Sequence, residues 1–245
     1  VLDPLDEKDL YHILKMPNNP VILNKRLDFS AYGIDIVFTD KALKMLAQRA
    51  YKENTGARGL VSVVEDALLQ FEETLPSHNV SRFAVTAEVL ENPEASLEGI
   101  VSGTQGDKWN KIYEKAFLDH KAYIAEYVKE NWKSFSIRYG LTLSEIRSSL
   151  VALYFCRNTM EIEDAVEKIK KFHDSVKEIE LEVSKSYALN IVFEEDAVDF
   201  LIEQFILHHA TNEVILSQIY ESYYDGFSLI REKTGKNRFF LSKEA

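Results

Sequence analysis

Tyr187-Ala188-Leu189-Asn190-Ile191-Val192-Phe193 repeats Tyr32-Gly33-Ile34-Asp35-Ile36-Val37-Phe38 at an offset of 155 residues, so a fold that suits one half of the chain must suit the other. The register continues without a gap: Ala197 and Leu201 fall on Ala42 and Leu46, Ser217 on Ser62, and Asp164 on Asp9. After a slip of one residue, Arg238-Phe239-Phe240-Leu241-Ser242-Lys243-Glu244 overlays Arg82-Phe83-Ala84-Val85-Thr86-Ala87-Glu88. Two unrelated units that share β-branched and aromatic strand residues would also give isolated matches. Register held across a helix, a strand and two further helices favours a degenerate duplicated module. In the first copy, alternation over Gly33 to Phe38 predicts a strand, and Thr39-Asp40 caps a helix carrying Ala42, Leu43, Leu46 and Ala50. Leu60, Val63, Val64, Ala67, Leu68 and Phe71 form a second apolar stripe, which Leu75-Pro76-Ser77 stops, and Arg82 to Val85 reads as another short strand.

The copies differ where chemistry can occur. Thr55-Gly56-Ala57-Arg58-Gly59-Leu60 places an arginine at the start of an apolar helix behind a glycine turn. A helix start offers unpaired N–H groups and the positive end of the dipole, and a guanidinium added there can meet a phosphate with two parallel hydrogen bonds. In the second copy Gly56-Ala57-Arg58 becomes Thr211-Asn212-Glu213. A carboxylate in that place suits the helix dipole and repels a nucleotide, so the second copy is expected to be structural or a partner surface.

This order of elements, with Asp9-Leu10, Ile13-Leu14 and the Pro17-Asn18-Asn19 turn ahead of it, resembles the C-terminal small domain of ClpX-type AAA+ unfoldases over residues 1 to about 95. The resemblance implies a mainly helical α+β fold. It would comprise an AAA+ small (lid) domain with short strands over 1–99, a helical insertion over 100–158, and a degenerate second copy of the lid-like module over 159–245. It also implies that Gly56-Ala57-Arg58 is the sensor-2 motif, with Arg58 touching a nucleotide held between large and small domains. Leu5 and Ile13 stand where the family places apolar contacts to adenine, although both are ordinary core residues as well.

No G-x-x-x-x-G-K-[ST] loop occurs and no strand ends in paired acidic residues, so ATP hydrolysis is not expected from this chain alone. ATP or ADP would be bound only together with a large domain, which would also hold Mg2+. The start at Val1-Leu2-Asp3-Pro4 suggests a piece beginning near the hinge after such a domain. The function implied is a nucleotide-sensing lid and oligomerisation region of an ATP-dependent protein unfoldase. Its partners would be neighbouring large domains in a hexameric ring, protein substrates, and a ClpP-like peptidase or adaptor. The alternative is a non-catalytic adaptor or interaction scaffold that keeps the lid fold.

Composition sets outer limits. With 46% hydrophobic and 28% charged residues, the 245-residue chain is ordinary for a globular protein, long enough for one large or two small cores. A formal net charge of −11 argues against a nucleic-acid surface, and no apolar run approaches a membrane span. The single Cys156 excludes an internal disulfide framework and suits a reducing cytoplasm; its place in Leu153-Tyr154-Phe155-Cys156 predicts a buried structural thiol.

Between the copies, aromatic and aliphatic residues from Trp109 to Trp132 follow helical spacing. After a break at Arg138-Tyr139-Gly140, Thr142 and Glu145 suggest a capping box for a helix to about Cys156, and a third helix should begin near Met160. The glycines of 93–107 suggest a linker. His208-His209 with Glu213 lacks a third metal ligand, Glu72-Glu73 and Glu194-Glu195-Asp196 read as solvated faces or helix starts, and His78 lies in an exposed turn.

Overall fold

A computed structural model describes residues 5–53, 56–103 and 106–244. The chain forms two compact units, one of residues 1–124 with 155–162, the other of residues 125–154 with 163–245.

The first unit opens with α1 (Glu7–Lys15) and α2 (Pro20–Ala31). Asp6 and Asp9 close a capping box at the start of α1, and Asn19 caps α2, with Pro20 in the first turn where no N–H is required. Strand β1 (Asp35–Phe38) leads through α3 (Asp40–Lys52) and α4 (Ala57–Thr74) to β2 (Arg82–Val85), which pairs with β1 in parallel, Asp35 beside Arg82. The expected Thr39 cap is present: its hydroxyl accepts from Ala42 N–H and donates to the carbonyl of Val85, tying the helix start to the neighbouring strand.

Side-chain alternation gives the two-strand ribbon two apolar faces. Ile36, Phe38, Phe83 and Val85 join the main core with Leu10, Leu14, Phe29, Leu46, Val64 and Phe71, where the Phe83 ring stacks 5.0 Å from that of Phe71. Val37 and Ala84 face the other way, onto Tyr113 and Ala116 of α7 (Gly106–Glu130). Between β2 and α7 lie α5 (Ala87–Glu91) and α6 (Pro93–Val101). The expected linker is thus in large part a helix. Pro93 is well placed in its first turn, and Leu97, Ile100 and Val101 are held against the main core, which outweighs the glycine content of the segment.

Beyond α7 come α8 (Trp132–Tyr139), α9 (Glu145–Arg157), α10 (Ile162–Tyr187), β3 (Asn190–Phe193), α11 (Glu195–His208), α12 (Asn212–Thr234) and β4 (Arg238–Leu241). The cap of α9 is Ser144, whose hydroxyl accepts from Arg147 N–H, so it takes the role expected of Thr142; Thr142 lends its carbonyl to the Arg147 guanidinium.

The second unit repeats the strand–helix–helix–strand crossover, and β3 and β4 pair in parallel with Asn190 beside Arg238, the register of β1 and β2. Even the left-handed residue ahead of the strand recurs, as Gly33 at φ 74° and Ala188 at φ 53°. One element departs from the repeat. Met16-Pro17-Asn18-Asn19 separates α1 from α2, whereas the corresponding Lys171-Phe172-His173-Asp174 continues α10 as one helix, because nothing there removes a backbone donor.

Candidate functional site

Helix α4 is anchored by Leu60, Val63, Val64, Leu68 and Phe71, all buried. That stripe fixes which side chains of the first turn point outward. Arg58, the second residue of the helix, is exposed, and it makes no hydrogen bond or ion pair to any described residue. Gly56 precedes it at φ 63°, ψ −147°, a backbone region essentially reserved for glycine. A Cβ at Gly56 would meet nothing within 4 Å, so conformation and not crowding demands the glycine. Its carbonyl accepts from Gly59 N–H at 3.1 Å, but no side chain caps the helix and no acidic residue sits in its first turn. Ala57 is exposed beside it, while Thr55 lies outside the described residues.

The matching start of α12 is built oppositely. Thr211 caps it by accepting from Val214 N–H, and Glu213 occupies the first turn. The Glu213 carboxyl is held below its ordinary pKa by the Thr211 hydroxyl and a backbone N–H. One helix start is cationic and uncapped; its counterpart is anionic and capped.

Leu5 and Ile13 belong to the approach to α1 and to α1 itself. Leu5 is 38% exposed just ahead of the Asp6 cap, and Ile13 is half-buried against the main core, its carbonyl accepting from the Asn19 amide at 2.9 Å. Helix α1 packs on both α3 and α4, so the segment bearing these two residues and the helix bearing Arg58 share one core. A polar clamp locks that packing: Lys15 reaches Asp40 at 2.7 Å, Tyr11 donates to the same carboxylate, and Lys44 meets it at 2.8 Å. Burial works to raise the pKa of Asp40, yet the hydrogen bonds from Lys15, Lys44 and Tyr11 hold it well below the usual carboxylate range.

A second polar cluster in this unit has no local signature in the chain. Arg26 is only 6% exposed and forms no salt bridge among the described residues; one guanidinium nitrogen donates to the carbonyls of Phe155, Cys156 and Asn158. These carbonyls lie at the C-terminal end of α9, where a cation also complements the helix dipole. Beside it lies a cavity of about 90 Å³ touched by His120, Asp35, Tyr113 and Cys156. Tyr113 donates to Asp35, and burial pushes the Cys156 thiol up to about 12, which keeps it protonated and inert. Burial, then the charges of Arg26 and Lys15, lowers His120 to about 3. The cavity is far smaller than the several hundred Å³ a nucleotide-sized ligand fills. Among the described residues no cluster of His, Cys, Asp and Glu could hold a metal ion, and no helix is long and apolar enough to cross a membrane.

A family model for the C-terminal, D2-small domain of ClpB protein matches residues 5–72, which include Leu5, Ile13 and the whole Gly56-Ala57-Arg58 turn. Over 99 residues the chain is 39% identical to the mitochondrial ATP-dependent clpX-like chaperone of Saccharomyces cerevisiae, covering 39% of this chain and 19% of that protein. It is 38% identical over 98 residues to the ATP-dependent Clp protease ATP-binding subunit ClpX 2 of Wolinella succinogenes, covering 39% of this chain and 25% of the relative. With the ATP-dependent protease ATPase subunit HslU of a Thermotoga species it shares 36% identity over 94 residues, 36% of this chain and 20% of HslU. The matches thus span a quarter or less of each relative. No solved structure matches the chain. Residues 5–72 therefore form a small domain of the ClpB D2 kind, in a chain related to the AAA+ chaperones of the ClpX and HslU type.

Proposed function

We propose that the first unit is the nucleotide-sensing lid and oligomerisation region of an ATP-dependent protein unfoldase of ClpX type. The observation that carries this reading is Arg58: an exposed cation without a partner among the described residues, at the start of a core-anchored helix that no described side chain caps. Such a group is free to form a bidentate contact with a terminal phosphate and to lose it when that phosphate leaves. A nucleotide, held with Mg2+ by a large ATPase domain, would supply the phosphate, with Leu5 and Ile13 as the apolar side of the cleft.

Arg58 can bias the angle between lid and large domain only by binding one nucleotide state better than another. The Lys15–Asp40 clamp ties α1 to α3 and both pack on α4, so that bias would move the lid as one body against the next large domain of a hexameric ring. Force on a protein substrate, handed to a ClpP-like peptidase or received through an adaptor, would follow from that rotation. A second reading, an adaptor or scaffold that retains the lid fold, draws on the second unit, whose matching helix start carries Glu213 in place of the cation.

The test is Arg58→Ala in an ATPase ring that carries this chain as its small domain. ATP-driven unfolding should fall about tenfold or more, the worth of one charge-assisted contact of roughly 1.5–3 kcal/mol, while the chain's melting temperature stays put. Undiminished unfolding by the alanine variant would favour the adaptor.

A further inference from the structure

We infer that the cavity beside Arg26 binds a small free α-amino acid, its carboxylate taken by Arg26, its ammonium by Asp35 and its short side chain by an apolar wall. The lining comes wholly from the first unit: the turn after α1, then α2, β1, α3, the middle of α7 and the end of α9. Two opposite charges face this one space without meeting each other, since no hydrogen bond or ion pair joins Arg26 to Asp35.

The guanidinium is held from two sides. Nη2 donates to three carbonyls, and the Phe155 ring centre lies 5.3 Å from the guanidinium carbon. Nε and Nη1 have no acceptor among the described residues, yet neither is sealed from water. Asp35 is held by one oxygen alone: Oδ2 accepts from Tyr113, and Oδ1 has no hydrogen bond among the described residues. His120 also lines the space, and neither of its ring nitrogens is hydrogen-bonded among the described residues. Buried polar groups are ordinarily satisfied, so a fixed guanidinium and a carboxylate oxygen left open onto one cavity point to a ligand carrying both complementary charges.

Charge and size narrow the class. A simple carboxylate would meet Arg26 but be repelled by Asp35; a simple amine would meet Asp35 but be repelled by Arg26 and by Lys15, which also lines the cavity. A zwitterion avoids both penalties. At about 90 Å³ the cavity has room for about six water-sized groups, which matches the non-hydrogen atoms of alanine. Leu14, Leu43 and Phe155, all buried, give the methyl group its apolar wall. Arg58 is outside the lining, so the site does not depend on the nucleotide reading.

Isothermal titration of the whole chain with L-alanine tests the assignment. Saturable binding is expected, with the melting temperature rising as the site fills. Propionate, which lacks the amine, and ethylamine, which lacks the carboxylate, should bind at least about tenfold more weakly, as loss of one charge-assisted hydrogen bond implies. Asp35→Asn keeps the side chain's shape and an acceptor for Tyr113, and should erase the difference between L-alanine and propionate. Cys156→Leu should abolish binding by filling the cavity. Circular dichroism shows whether each variant is folded, and Asp35→Asn decides the matter if Cys156→Leu does not fold. Neither heat nor thermal shift with L-alanine up to about 10 mM would leave the cavity to water and overturn the proposal. Propionate binding as tightly as L-alanine would make this an anion site, and L-alanine binding untouched by Asp35→Asn would place the amino acid elsewhere; either result overturns it too.

Discussion

At the level of single residues, the two modules show how far a backbone conformation can outlast the residue that made it easy. Gly33 takes a left-handed conformation at no steric cost, and Ala188 keeps that conformation with a Cβ. Left-handed geometry costs an L-residue about 1 kcal/mol, so Ala188→Gly should stabilise the chain by up to that amount, less the added flexibility of the unfolded state. Urea denaturation followed by circular dichroism would measure it; a destabilised variant would show that the Ala188 methyl contributes more in packing than the turn costs. The Arg58→Ala experiment belongs to this scale too, since it removes an exposed group without touching the core. Residue by residue, what could be read in advance was what local chemistry controls. The Thr39 cap and the two strands followed from spacing, because an N-cap hydroxyl and a period of two need no distant partner. Arg26 was opaque for the opposite reason: its role depends on carbonyls about 130 residues away, at the end of α9.

Among elements, the most consequential polar contact is made by α9 on α11. Arg147 is 3% exposed; its Nε donates to Asp199 at 2.7 Å, and it also pairs with Glu195. Burial raises the Asp199 pKa against the pull of Arg147, so the carboxylate depends on that guanidinium to stay charged. Removing one member of a buried pair costs roughly 3–5 kcal/mol. Arg147→Ala should lower stability by about that much, and Arg147→Met combined with Asp199→Leu should recover most of it, as equilibrium unfolding in urea would show. A loss below about 1 kcal/mol in the alanine variant would mean that water reaches Asp199 freely. Helix boundaries were less legible than helix existence. The stretch 93–107 reads as a linker from its glycines, but Leu97 and Ile100 packed against the main core outweigh local composition and make Pro93–Val101 a helix. The choice of Ser144 over Thr142 rests on where the first turn of α9 closes, which sequence spacing leaves ambiguous.

For the whole molecule, acid sensitivity should follow from His120. Its pKa falls from 6.5 in the unfolded chain to about 3 in the fold, because burial and then Arg26 and Lys15 disfavour the imidazolium. A base lowered in this way binds its proton more readily unfolded, so its contribution is complete above pH 6.5 and drains away as pH drops toward 3. Melting temperature should therefore decline through that window, and His120→Gln should flatten the decline. An unchanged profile in the variant would assign the acid sensitivity to other groups.

The duplication itself was legible because its strands and crossover helices kept their register, but the repeat boundary and the physical boundary differ. α10 continues through the position where the first module turns a corner at Pro17, and α11 draws its buried cation from α9, in a stretch of sequence that precedes the repeat. Excising the second module at the point where the duplication begins would sever Asp199 from its only buried counter-ion among the described residues. The later copy has given up autonomy, and its integrity is mortgaged to the insertion that separates it from its sibling.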